Sequence, residues 1–305
     1  GLTKLGLRTK ALKLGSIVLD DSHSCIDTIE ESFTILLDSE KPAYKEVFKI
    51  LEHSLEDQGY GTLQEIKEGN ANEMIGVPYW VWKDKYQQVS DILNKYKNDD
   101  SHNHIFAWNL IKDQIHDCHC FISGNKIEIK PYLSPIDLYG SFYNANTRVF
   151  MSATTNNDSF FIKGLGLTVQ SVSNPLIYSE EVWSGEKMIL LPYNIDSHLS
   201  RNGIVKHFAT PDDHRNHGVV VLTSSFYKSN LWNEHGAISL QSDTINEKIK
   251  ELKNGKFDRT LIIANRYDGI DLPDNSCRIL IIDSKPYSEN LYDKYQEEVR
   301  TDSDI

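Results

Sequence analysis

No apolar run in the sequence comes near the roughly 20 residues that a membrane-spanning helix needs, so no membrane partner is expected for these 305 residues. Residues 1–13 are basic but lack the apolar stretch of a secretory signal. Cysteine is scarce: Cys25, Cys118, Cys120 and Cys277 are too few and too scattered for a disulfide framework. That usage suits a reducing compartment, and a cytoplasmic location is expected. Positive charge is also short, with 32 Lys and Arg against 44 Asp and Glu, a net of -12. This argues against polyanion binding over the whole surface but leaves room for a local basic groove. What is present is enough to fold. Hydrophobic residues make up 39% and charged residues 25%, which excludes a disordered tail and allows real cores. The length suits one large or two ordinary domains. The chain enters a strand almost at once, without an initiating methionine, and stops in EEVRTDSDI. It reads as a piece of a longer protein.

Three zones follow. A short strand, Ser16 to Leu19, runs into Asp20 and Asp21. Residues 26–144 then carry apolar residues at helical spacing in DTIEESFTILL, PAYKEVFKILEHSLEDQ and KYQQVSDILNKY. Pro42 suits a first helical turn, and Gly59 and Gly61 follow that helix. This zone reads as mainly helical, with KIEIKPYL as a strand at its edge. From Thr147 short β-rich runs return: TRVFMSATT, EKMILLPY, HGVVVLTSS, GAISLQS, RTLIIANRYDG and RILIIDSKP. Several are apolar throughout, as parallel strands covered on both faces are. Helical stretches such as SDTINEKIKELKNGK separate some of them, which predicts an α/β domain.

In parallel α/β sheets, ligands bind beyond the carboxyl ends of the strands. Four of these ends are polar in a pattern. The first is Asp20-Asp21-Ser22-His23, the second Ser152-Ala153-Thr154 and the third Thr223-Ser224-Ser225. The fourth runs from Asn265 through Arg266, Asp268, Gly269 and Asp271 to Pro273. Two adjacent carboxylates at a strand tip repel each other unless a cation or a donor network sits there.

In this order the four segments resemble the motifs of superfamily 2 helicases. LDDSH resembles motif II, the DEAH box; MSATT resembles motif III; VVVLTSS resembles motif IV; RYDGIDLPDNSCRILIID resembles motif V with the strand after it. The style is similar to the XPD/DinG-like enzymes, through SFFIKGLGLTVQSVSNP after the Ser-Ala-Thr motif and IIDSKPYSE after motif V. Between motifs II and III, 128 residues intervene, 24–151, where XPD-like enzymes carry a helical arch.

The resemblance implies a P-loop NTPase, RecA-like helicase core of parallel sheets flanked by helices, with a mainly helical insertion. Residues 1–25 and 145–175 would be the end of the first RecA-like domain, 26–144 an arch-like insertion, and 176–305 an incomplete second RecA-like domain. The implied function is ATP-dependent movement on single-stranded nucleic acid, DNA rather than RNA, with ATP and magnesium as cofactors. Phosphoryl transfer to water needs mainly positioning and charge neutralisation. Asp20, with Asp21 beside it, would hold the metal, and Asp21 would polarise the attacking water where most relatives have Glu. His23 would sense the nucleotide, and Ser152 and Thr154 would relay its state. Asp268, Gly269 and Asp271 would face the nucleotide edge. Thr223, Ser224, Ser225 and Arg266 would touch the nucleic-acid backbone, all of these lining an interdomain cleft. No GxxxxGK[ST] loop and no motif VI are present. They are expected before Gly1 and beyond Ile305, so the chain alone is not expected to hydrolyse ATP.

Other readings stay open. The shortened Asp21 allows a degenerate helicase-like scaffold or nucleic-acid clamp. A phosphate-binding α/β enzyme unrelated to helicases would have one sheet rather than two. His102, His104, His116, Cys118, His119 and Cys120 hold zinc-binding chemistry, but the CxC spacing is tighter than the usual pair; partly buried residues between a helix and a strand are the simpler expectation. Trp80 and Trp82 are either core of the insert or a surface on which bases stack.

Overall fold

The computed structural model describes residues 11–20, 22–98, 102–151, 159–177, 188–241, 243–264, 270–284 and 290–299. The chain divides into two compact units, Gly1–Ser179 with Glu289–Ile305, and Glu180–Ser288. Parallel sheets flanked by helices place it in the α/β class.

In the first unit β1 (Ser16–Leu19) pairs in parallel with β6 (Thr147–Phe150), Val18 opposite Val149. Ile17 is buried, and Phe150 packs partly buried on the same core. Val18 and Val149 form the other, exposed face. The chain between these strands forms α1 (Ser22–Ser32), β2 (Ile35–Asp38), α2 (Pro42–Leu55), α3 (Tyr60–Lys67), β3 (Met74–Gly76), α4 (Tyr79–Lys95), α5 (His102–Ile111), β4 (Cys118–Ser123), β5 (Lys126–Pro131) and α6 (Gly140–Tyr143). Helix α2 starts with Pro42 in its first turn and buries Ala43, Tyr44, Val47, Leu51 and Leu55, one stripe at helical spacing. Helix α4 buries Val81, Trp82, Val89, Ile92 and Leu93 against the same core. After β6 come α7 (Ser159–Lys163) and α8 (Val169–Ser173).

The insertion is helix-rich, as its periodicity predicts, but it is built around an antiparallel sheet of order β2-β5-β4-β3. KIEIKPYL supplies β5, an inner strand rather than an edge. DTIEESFTILL is not one helix: α1 stops at Ser32 and Ile35–Asp38 alternates buried and exposed in β2. Period-2 burial of Ile35 and Leu37 outweighs the helical reading of that run.

The second unit holds α9 (Pro192–Ile195), α10 (Arg201–Ala209), β7 (Val219–Thr223), α11 (Phe226–Glu234), β8 (Ile238–Ser239), α12 (Ile245–Lys253), β9 (Leu261–Ala264) and β10 (Ile279–Asp283). The strands form one parallel sheet of order β10-β7-β9-β8. Val221, Ile262 and Ile281 pack under Val205, Ala209 and Trp232 of α10 and α11. On the opposite face Val220, Leu261 and Ile263 pack under Ile245 and Leu252 of α12. Cover on both faces explains why β7 and β9 are apolar throughout, whereas Leu280 and Ile282 of β10 are exposed. EKMILLPY makes no strand among its described residues: Met188 to Leu191 are exposed and unpaired with the sheet, because an apolar run without a partner strand gains no ladder.

The last helix, α13 (Leu291–Val299), belongs to the first unit, not the second to which the sequence reading gives it. Leu291 is buried with Met74 and Phe121, and Tyr292 and Tyr295 pack around them.

Candidate functional site

Each unit has its own polar strand edge. In the first, the ladder of β1 and β6 runs on past the strands: the Met151 amide donates to the Leu19 carbonyl at 2.8 Å, and the Ser22 amide to the Met151 carbonyl at 2.9 Å. The carboxyl ends of two strands more than a hundred residues apart are thus joined where LDDSH and MSATT begin. Asp20 is exposed there, and the Cys25 thiol donates to its carbonyl at 3.5 Å. Ser22, in the first turn of α1, is 1% exposed and its hydroxyl has no hydrogen-bond partner among the described residues. An unmet buried hydroxyl costs about 1–3 kcal/mol. Asp21, Ser152 and Thr154 lie outside the described residues, as does the side chain of His23, which sits in α1.

Among the described residues no group of three His, Cys, Asp or Glu could hold a metal. Magnesium, however, keeps several waters and commonly takes one or two carboxylates plus substrate phosphates. An exposed carboxylate at Asp20 fits such a water-shelled ion and does not fit an all-protein cage.

In the second unit Thr223 ends β7 opposite Asp283 at the end of β10. Thr223 is fully buried, and its hydroxyl donates to the Ser225 carbonyl at 3.3 Å. The Ser225 hydroxyl accepts from the Lys228 amide and caps α11. Ser224 pairs with the Ser284 hydroxyl at 3.0 Å. Ser284 has φ 100°, a left-handed conformation in a residue with a side chain, which costs of order 1–3 kcal/mol. Asp271 is exposed; Arg266, Asp268 and Gly269 lie outside the described residues.

A network that no sequence motif marks lies at this edge. Arg201 grips Asp283 through Nε to Oδ1 at 2.8 Å and Nη2 to Oδ2 at 2.7 Å. The Trp232 indole donates to Oδ2 at 2.7 Å. Burial pushes the Asp283 carboxyl up, but the hydrogen bonds from Arg201 and Trp232 outweigh it and hold the group below its ordinary range. The same pair raises the Arg201 guanidinium. A cavity of ≈ 730 Å³ opens beside it, lined by Arg201, Tyr227, Lys228, Glu234 and Asp283 among others. The one signal in sequence was an acid closing an apolar strand, as Asp20 closes β1. Arg201, 82 residues from Asp283, had none.

The other candidates have structural places. Cys118 and Cys120 are buried in β4, and burial pushes both thiols up. His119 faces the rings of Phe121, Tyr132 and Tyr292. His102 and His104 lie in α5, their side chains outside the described residues. Trp82 is buried, with its indole donating to the Ile115 carbonyl at 2.9 Å, so it is core. Trp80 is 53% exposed and meets Tyr79 edge-on with ring centroids 5.1 Å apart. No helix among the described residues is long and apolar enough to cross a membrane.

No protein-family model matches the chain, and no curated protein sequence matches it. Among solved structures it is similar to Xpd4 of S. tokodaii, with 15% identity and a TM-score of 0.45 over 96% of this chain and 64% of that one. It is similar to an apo XPD at 13% identity and TM-score 0.40, covering 95% of this chain and 64% of that one. An XPD helicase gives 13% identity and TM-score 0.41, with 95% and 57% covered. The chain spans less than two thirds of the length of each of these structures.

Proposed function

We propose that this chain is part of an ATP-dependent nucleic-acid helicase or translocase of superfamily 2, XPD/DinG-like in style, that moves on single-stranded nucleic acid, DNA rather than RNA. In that reading the strand pair β1 and β6 belongs to a first RecA-like domain, residues 26–144 to an arch-like insertion, and the sheet of the second unit to a second RecA-like domain. The observation that carries it is the backbone tie between Leu19, Ser22 and Met151, which joins the two strand ends bearing LDDSH and MSATT.

The roles follow from the chemistry. Bound magnesium would supply charge neutralisation at the phosphates of ATP. Asp20 would hold that ion through water, and Asp21 would orient the attacking water over an arm one methylene shorter than glutamate. His23, Ser152 and Thr154 would pass on the nucleotide state by hydrogen bonds. Thr223 and Ser225 shape the α11 cap, while Ser224 and Arg266 would meet the nucleic-acid backbone. Asp268, Gly269 and Asp271 would face the nucleotide edge.

The test is ATP hydrolysis by the complete protein, with and without single-stranded DNA, in wild type and in Asp20→Ala and Asp21→Ala variants. Stimulated hydrolysis that both substitutions abolish is expected. A folded protein that binds DNA without hydrolysing ATP would overturn the motor and favour a degenerate scaffold, the reading that the shortened Asp21 motivates.

A further inference from the structure

The second unit has a cationic pocket at the end of its sheet opposite to the strand tips described above. A cavity of ≈ 870 Å³ opens over Val219 and Ile279, the first residues of β7 and β10. Each strand advances four steps from there to Thr223 and Asp283, so the two edges are roughly 13 Å apart at about 3.3 Å per residue. The pocket is therefore separate from the Arg201–Asp283 edge.

Its lining is basic in a chain whose net charge is -12. Lys206 projects from the exposed face of α10, and His207 follows it. His214 and His217 come from the loop before β7. Arg215 sits among them, half-buried, and is held in place by neutral groups only. One Nη donates to the Thr260 hydroxyl at 2.9 Å; the other donates to the carbonyls of Phe208 at 3.3 Å and Thr210 at 3.2 Å. Among the described residues no carboxylate pairs with either Arg215 or Lys206. A guanidinium fixed by carbonyls keeps its full charge, and a half-buried one is screened less than a surface charge. Asp212 is the one acid in the lining, and one of its oxygens already accepts from the His214 amide at 2.9 Å. The balance is one anchored guanidinium, one exposed ammonium and three imidazoles, each able to donate an N–H, against one engaged carboxylate.

We propose that this pocket is a second anion site, which takes the phosphate groups of a polyanion. Such groups come from two sources, a free polyphosphate chain or the backbone of a nucleic-acid strand, and the shared chemistry is an oxyanion with charge-assisted donors around it. The proposal does not depend on ATP hydrolysis or on the strand-tip motifs.

The test measures binding of inorganic tripolyphosphate, and separately of a short oligothymidylate, to this chain by calorimetry at neutral pH and low salt. The comparison is a Lys206→Glu/His214→Ala variant, both positions being exposed, with a thermal melt to establish that the variant is folded. Lys206→Gln alone is the fallback should the double variant not fold. Wild-type binding of at least one probe, weakened on the order of tenfold or more by the variant, is expected from the loss of one charge-assisted contact and the gain of a repulsive charge. Binding of tripolyphosphate alone assigns a free phosphate compound. Binding of oligothymidylate, falling steeply with added salt, assigns a nucleic-acid strand. No binding of either probe, or binding that the variant leaves unchanged, overturns the proposal.

Discussion

Arg201 and Asp283 form a two-nitrogen, two-oxygen pair, Nε to Oδ1 at 2.8 Å and Nη2 to Oδ2 at 2.7 Å, at the carboxyl edge of the second unit's sheet. The Asp283 side chain is 10% exposed and Arg201 48%. The buried partner therefore matters more than the exposed one. Removing Arg201 costs no more than about 1 kcal/mol, because solvent screens its charge. Asp283→Leu also leaves the buried Trp232 indole without an acceptor and costs about 2–3 kcal/mol. The sign of the pH dependence follows from the lowered carboxyl. Its contribution is complete above the ordinary value of 3.8 and is lost as pH falls through the lower folded value. Urea unfolding of wild type and Asp283→Leu from pH 7 down to 3 checks this: the gap between them is expected to narrow only below about pH 4.

Glu128 docks the last helix. Its carboxylate, 1% exposed on β5, accepts from the amides of Leu291 at 2.7 Å and Tyr292 at 3.3 Å, which open α13. Carboxylates at helix N-termini satisfy amides that lack partners. Burial nevertheless dominates and raises the carboxyl above its ordinary 4.5. The folded state then binds a proton more readily than the unfolded one, so this group's contribution is fullest below 4.5 and declines as pH rises through the folded value. Wild type is expected to gain on Glu128→Gln between pH 7 and 5 in paired unfolding curves. Glu128→Ala strands both amides, and faster hydrogen exchange at Leu291 and Tyr292 is expected. Unchanged exchange there would refute the docking role.

His119, on the neighbouring strand, shows the opposite dependence. Its Nε2 is buried with no hydrogen-bond partner among the described residues. Burial first, then the nearby Lys130 charge, lower its basicity below the ordinary 6.5. An imidazole kept neutral in the fold charges more readily when unfolded, so stability falls as pH drops below 6.5. His119→Phe keeps the ring contacts to Phe121, Tyr132 and Tyr292 and removes the unmet nitrogen. The variant is expected to melt no lower than wild type at pH 7.5 and to lose less stability between pH 7 and 5.5. A melting point well below wild type at pH 7.5 would show a partner for Nε2.

What the sequence disclosed depended on distance along the chain. Strands β1, β6, β7, β9 and β10 were legible because each is a local apolar run closed by polar residues. Helices α2 and α4 were legible by their stripes. Strands β3 and β4 were not: Met74–Gly76 is too short to show a period, and CHCFIS opens with residues that read as metal ligands. EKMILLPY carried the strand signal without a partner to pair with, and partners are not written locally. The same limit hid the strand-edge networks. Arg201 meets Asp283 across 82 residues and Glu128 meets Leu291 across 163, separations at which no spacing rule operates. At the candidate site the strand tips were readable as acidic and hydroxyl clusters. The indole, guanidinium and carboxylate that rigidify one of them were not.

Gly218 marks where the second unit's sheet closes most tightly. It precedes β7, and its amide donates to the Asn275 carbonyl at 2.8 Å, while its own carbonyl accepts from the Arg278 amide at 3.1 Å. A Cβ at this position would run into the Ser276 carbonyl and the Leu252 side chain. The Ser276 carbonyl is backbone and cannot rotate aside as a side chain would. Gly255, after α12, is the contrast: it has φ 87° and open space around its Cβ position. Gly255→Ala therefore pays only the left-handed backbone penalty, about 1–2 kcal/mol. Gly218→Ala must move the β7 and β10 entrances apart and costs about 3 kcal/mol or more. Denaturant-dependent hydrogen exchange at the amides of Val220 and Val221 distinguishes them, since both residues are buried in the sheet beside Gly218. A smaller loss for Gly218→Ala than for Gly255→Ala would mean that the entrance to β7 is loose. The cationic pocket over Val219 and Ile279 would then have no rigid floor, and Gly218→Ala would leave its affinity for tripolyphosphate untouched. A tight entrance predicts that Gly218→Ala weakens stability and that affinity together.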